Sequence, residues 1–217
     1  MSIFLVEKYT SALNEIRERL ISANILSKNK NVVFIESTAL QIRKILELIS
    51  YLSILVNSGK LNHKERNEWH AQKIIETLDK KTMLFYPLPC RVIPPEEERS
   101  QPVLIPLGLK YALSQRDFVH TYNTCGKILH AQHPFKEELD FERYFHANEQ
   151  ALDKIQHLLQ NHVIPIGHDT QKYTFLYIEF DFTNNDHTKP TVIREYKSLI
   201  YNESQLKALF ENVWQER

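Results

Sequence analysis

Apolar residues recur at a helical period through most of the chain up to His162. Between Leu5 and Leu26 they fall at Leu5, Tyr9, Leu13, Ile16, Leu20 and Ile21, with acids and bases between, which predicts a helix covering a core along one face. From Ile35 to Val56 they go nearly all round, as expected of a helix central in a bundle. Arg43, Lys44 and Glu47 interrupt this run. Arg43 and Glu47 are i, i+4 neighbours, so the plain reading is an internal ion pair that orients two helices. The functional reading is an arginine pointing into a site.

Ser58-Gly59 ends the second helix, and Asn62 caps a third that runs through His63, Trp69, Ile74, Ile75 and Leu78 to Asp79-Lys80-Lys81. Ser114 with Asp117 three residues on forms an acidic capping box for a fourth helix, Gln115 to about His130, stopped by Pro134. Asp140 caps a fifth, Phe141 to His162, ended by Pro165 and Gly167. Residues 82–113 form a long excursion that holds six of the nine prolines and the acids Glu96-Glu97-Glu98. Within it Val103, Leu104, Ile105 and Leu107 predict a short strand. Tyr173 to Phe182 and Thr191 to Tyr196 read as a hairpin, and Asn202 caps a last helix, Ser204 to Trp214. The expected fold is mainly α: a bundle of about five helices with a long Pro-rich loop and a C-terminal β-hairpin plus short helix. Residues 1–165 would form the bundle and 166–217 an appendage packed on it, in one compact domain.

Composition narrows the partners. Lysine plus arginine (27) balances aspartate plus glutamate (27), so no global basic field draws nucleic acid, although RNA binding through a local face stays open. Cys90 and Cys125 are the two cysteines and have no metal-type spacing, as in a reducing cytoplasm. The N-terminal stretch meets Glu7 before a signal-peptide core can form. The apolar run Ile45 to Val56 is too short to span a bilayer. The expectation is a soluble, cytoplasmic protein with no membrane contact. The ten histidines are scattered, and His157 and His162 lie on different helical faces, so neither a metal nor another cofactor is expected.

The densest chemistry lies between Thr121 and Phe135, where a thiol, a glycine, a cation and two imidazoles share the end of the fourth helix. Glycine inside a helix costs about 1 kcal/mol relative to alanine, so Gly126 signals close packing or access to backbone. Candidate catalytic residues are His130, Arg43 and Lys127; candidate binding residues are Glu47, Asn123, Cys125 and His133. Each has a plainer use. A charged histidine at a helix C-terminus is worth about 0.3–1 kcal/mol by capping carbonyls and meeting the dipole. A helix C-terminus raises a thiol's pKa, which suits Cys125 to packing rather than attack.

The helix Gln41-Ile42-Arg43-Lys44-Ile45-Leu46-Glu47-Leu48-Ile49 and the run Cys125-Gly126-Lys127-Ile128-Leu129-His130-Ala131 together resemble the HEPN superfamily of small helical-bundle proteins, from about Val33 to His162. The family motif is an arginine, a polar residue, a short spacer and a histidine near a helix end. The resemblance implies metal-independent RNA cleavage. In that chemistry histidine handles protons, arginine stabilises the phosphate charge, and the ribose 2′-hydroxyl attacks the neighbouring phosphorus. It also implies a homodimer that builds the site, and a bacterial defence, toxin–antitoxin or RNA-processing setting. Here Cys125 stands where the arginine belongs and Gly126 replaces the polar residue, and a thiol cannot supply a guanidinium fork. The pair Arg66 and His70 has one spacer residue too few and begins a helix. The expectation is therefore a catalytically degenerate protein that acts through a protein partner or RNA. The alternatives are an active ribonuclease using His130 with Arg43 or Lys127, and a helical protein that binds a small molecule.

Overall fold

The computed structural model describes residues 3–82, 84–93, 102–131, 135, 139–169, 172–182 and 191–197. Two long helices, α1 (Ile3–Leu26) and α2 (Val32–Asn57), form an antiparallel hairpin at the start of the chain. Asn31 caps α2 by accepting from the backbone N–H of Val33. After a 3-10 turn at Ser58–Lys60, Asn62 and Glu65 close a reciprocal capping box around α3 (His63–Arg66). α4 spans Ala71–Lys81. The third helix expected from the sequence is thus two helices. The Glu68 carboxylate accepts the backbone N–H groups of Trp69 and His70 and turns the chain between them.

The expectation of a mainly helical bundle is overturned. Among the described residues there are six α-helices and a five-stranded antiparallel sheet, so the fold is α+β. The strands are β1 (Leu88–Ile93), β2 (Val103–Pro106), β3 (Asn161–Asp169), β4 (Lys172–Glu179) and β5 (Val192–Lys197), in the order β2-β1-β3-β4-β5. α5 (Gln115–Ile128) and α6 (Phe141–Leu159) lie between β2 and β3 in the chain. The Pro-rich excursion contributes β1 and β2, with Ile93 opposite Val103 and Cys90 opposite Pro106. The segment expected to finish the fifth helix is instead the start of β3, whose His162 and Val163 pair with Pro89 and Leu88 of β1. β3 carries both Pro165 and Gly167, and its register with β4 shifts between them, an irregularity of the kind at which sheets tolerate proline and glycine. The expected hairpin is present as β4–β5, with Glu179 opposite Val192 and Thr174 opposite Lys197. The expected helix at Ser204 to Trp214 lies outside the described residues.

Phe175, Leu176, Tyr177 and Ile178 of β4 are all buried, so this interior strand is covered on both faces. His162 ties the sheet to α1: its Nε2 lies 3.1 Å from the Tyr9 hydroxyl, and its Nδ1 lies 2.9 Å from the carbonyl oxygen of Leu159. Arg17 makes a second tie, donating from Nε to the Asp181 carbonyl oxygen and stacking on Phe180. α2 supplies the centre of the core, with Ile35, Ala39, Ile42, Ile45, Leu46, Ile49 and Leu52 all buried. No helix among the described residues is long and apolar enough to cross a membrane.

Candidate functional site

The sequence places the candidate residues on α2 and α5, and these two helices pack directly on each other. Ser114 caps α5 through the backbone N–H of Asp117, and Asp117 is fixed in turn by Lys154 of α6 at 2.8 Å. Phe118, Tyr122, Cys125 and Ile128 form the buried stripe of α5. α5 ends at Ile128 with Leu129 as its C-cap, so His130 stands just beyond the helix and is exposed.

Arg43 leaves α2 toward the middle of α5. Its Nη2 donates to the Tyr122 hydroxyl at 2.8 Å, and its Nη1 donates to the Tyr122 carbonyl oxygen at 3.4 Å. The guanidinium carbon sits 4.0 Å from the centre of the Tyr122 ring, a cation–π contact. Gly126 makes room for this. A Cβ at that position would come within 2.9 Å of Nη1, so the glycine exposes a helix carbonyl one turn back to a side-chain donor. The close approach expected at Gly126 is present, and its cause is the arginine.

Glu47 completes the group. It lies 3.7 Å from Nε of Arg43 and 2.8 Å from Nζ of Lys44. One turn further along α2, Tyr51 donates its hydroxyl to the carbonyl oxygen of Trp69. Burial raises the pKa of both Tyr51 and Tyr122, with Glu47 pushing in the same direction and Arg43 opposing it at Tyr122. The His70 ring stands edge-on to Tyr122, with 5.5 Å between centres, and its buried Nδ1 has no hydrogen-bond partner among the described residues.

The structure therefore brings Arg43, Glu47 and the Cys125-Gly126 turn together. It does not join His130 or Lys127 to them: both are exposed, and neither makes a hydrogen bond, ion pair or ring contact with Arg43. Asn123 is exposed on the outer side of α5. His133 lies outside the described residues. The Cys125 thiol is buried, and burial pushes its pKa up to about 12 despite the nearby Arg43. Cys90 behaves alike. Neither thiol is poised as a nucleophile at neutral pH. Among the described residues no group of three or more histidine, cysteine or acidic side chains is placed to hold a metal ion.

Two members of the cluster, Tyr122 and Tyr51, escaped the sequence reading, and His70 enters it only as a motif partner of Arg66 that is set aside. Tyr122 had one signal, its place one helical turn before Gly126, where a glycine bares the carbonyl. His70 looked like part of a helix and is instead the N-cap residue of α4, with no capping bond from its side chain. Comparison with protein-family models, with curated proteins and with solved structures finds no match to this chain.

Proposed function

We propose that this chain is a HEPN-like, catalytically silent protein that acts by binding a protein partner, in the defence or toxin–antitoxin setting that the resemblance implies. The observation that carries this reading is the engagement of Arg43. Its guanidinium is held by the Tyr122 hydroxyl and carbonyl, by the Tyr122 ring and by Glu47, and it is seated against Gly126. A cation serving a phosphorane must offer its fork to the substrate, and this fork is already spent on α5. With Cys125 at the arginine position, no guanidinium among the described residues bonds to His130, and the exposed Lys127 supplies a hydrated point charge rather than a planar one.

The test is RNA cleavage in EDTA by purified protein, compared with His130→Ala and Arg43→Lys. No cleavage above background is expected from any of the three. Cleavage by the wild type that His130→Ala abolishes would overturn the reading in favour of an active ribonuclease.

A further inference from the structure

α2 is apolar nearly all round, yet among the described residues one of its stripes has no helix over it. Leu48, Tyr51 and Leu55, spaced i, i+3 and i+7, stay half-buried and line an open groove with Ile54, Ala12 of α1 and Trp69 of the α3–α4 connection. Trp69 is 70% exposed. A large aromatic left in water usually sits on a mobile loop, but this one is anchored. Its carbonyl accepts from Tyr51, its N–H donates to Glu68, and the capping box of α3 fixes the residues before it. A rigidly presented tryptophan beside a tyrosine, an arginine and an apolar floor is the composition of an interface hot spot.

The rim charges choose the occupant. The carboxylate of Glu15 is bound by Arg19 at 2.6 Å, and that of Glu68 accepts two backbone N–H groups. Arg66 is different: its Nε is fixed on the Leu61 carbonyl oxygen at 2.9 Å, while among the described residues its guanidinium makes no ion pair, and it is exposed at the groove's edge. The groove thus offers an apolar stripe of helical spacing and one positioned, unpaired cation.

We propose that this groove docks an amphipathic helix of a protein partner, with its apolar face on Leu48, Tyr51, Leu55 and Trp69 and a carboxylate beside that face paired to Arg66. The proposal rests on the partner-binding reading above and names the surface and the partner's chemistry. The helix-in-groove mode matches the spacing on α2. With Glu15 and Glu68 balancing Lys8 and Arg66 around the groove, and no net charge on the chain, there is no basic field for an RNA strand, which is the poorer occupant.

The probe is a synthetic amphipathic helix with leucines on one face and glutamates beside them, compared with a version carrying lysines in place of the glutamates. Trp69 and Trp214 are the two tryptophans, so Trp214→Phe makes Trp69 the sole emission reporter. The glutamate helix is expected to bind and shift Trp69 emission to the blue. Trp69→Ala, which removes the reporter and is therefore titrated by the anisotropy of a fluorescently labelled helix, should weaken binding by roughly 30-fold, as for a hot-spot residue. Arg66→Glu should reverse the preference toward the lysine helix. Both residues are exposed, and circular dichroism of each variant should match the wild type. Absence of binding, equal binding of the two helices, or binding indifferent to Trp69 and Arg66 would each overturn the proposal, as would RNA competing for the groove. RNA cleavage that depends on His130 defeats the non-catalytic reading and leaves this surface standing. Failure of the helix to bind defeats the surface and leaves that reading standing.

Discussion

Nη1 of Arg43 lies within 2.9 Å of the point that a Cβ on Gly126 would occupy. The two residues are therefore coupled: the glycine exists for the arginine, and the arginine's bonds to Tyr122 depend on the glycine. Arg43→Ala leaves the Tyr122 hydroxyl and Glu47 without their shared cation and is expected to cost about 1–3 kcal/mol. Gly126→Ala gains about 1 kcal/mol of helix propensity but displaces the guanidinium, so in the wild type its net effect should be near zero or destabilising. In the Arg43→Ala background the same substitution should stabilise by close to the full propensity gain. Urea unfolding of the two single variants and the double variant closes the cycle. Additive values would mean that the contact carries no energy.

The halves of that contact were legible in the sequence and the contact was not. Gly126 inside a helix and Arg43 beside Glu47 each announced an unusual demand, but nothing local says that one demand answers the other across 83 positions (126 − 43). The fold divides the same way. Helix starts with chemical caps at Asn62, Ser114 and Asp140 are visible because the cap lies within three residues of what it satisfies. The β4–β5 hairpin is visible because its pairing is between neighbours. β1 and β3 are not. Each has a neighbour to pair with, β2 for β1 and β4 for β3, but each carries a proline that reads locally as a break, and the pairing that joins the two, Leu88 opposite Val163, spans more than seventy residues. Tertiary pairing overrode the local signal, and the expected bundle became an α+β fold.

His162 gives the fold an acid-sensitive link. It is fully buried, and burial lowers its pKa from 6.5 to about 4. The Leu159 carbonyl accepts from Nδ1–H, which fixes the neutral tautomer with Nε2 accepting from the Tyr9 hydroxyl. Because the folded value lies below the unfolded one, the unfolded chain takes up the proton first as pH falls. The contribution is fully present above 6.5, declines as pH falls toward about 4 and is absent below that. By linkage the loss is on the order of 3 kcal/mol. Glu65, Glu68 and Glu142 are held below their usual 4.5, so what they contribute is retained above 4.5 and lost only as pH falls below it. Urea midpoints measured across this range should fall for the wild type and stay nearly flat for His162→Gln. Parallel curves for the two proteins would show that the imidazole does not titrate on unfolding.

Cys90 and Cys125 are buried, with thiol pKa values near 12. A thiol-specific reagent at mildly alkaline pH should therefore label neither in the native protein and both in urea. Since labelling requires opening, its native rate should rise with destabilisation, and Arg43→Ala should speed it at Cys125 more than at Cys90. Fast stoichiometric labelling of Cys125 in the folded protein would contradict its burial and would restore it as a candidate nucleophile.

Arg17 is 5% exposed and fastens α1 to the end of the sheet. Its Nε donates to the Asp181 carbonyl oxygen at 3.2 Å, its Nη2 to the Thr191 hydroxyl at 3.4 Å, and its guanidinium carbon lies 4.6 Å from the centre of the Phe180 ring. Asp181 follows β4 and Thr191 precedes β5, so one planar group spans both ends of a connection whose middle has no described residues. An ammonium cannot bond two acceptors in that fork and stack on the ring at once, and lysine should replace it poorly. Arg17→Ala is expected to cost about 3 kcal/mol, with Arg17→Lys recovering less than half. Because β5 is an edge strand, the loss should be local before it is global: amide exchange at Val192, Ile193 and Arg194 should accelerate more than at Leu176 or Ile178. Uniform acceleration across the sheet would place Arg17 in the cooperative core, and a cost below about 0.5 kcal/mol would show that the fastening is unused.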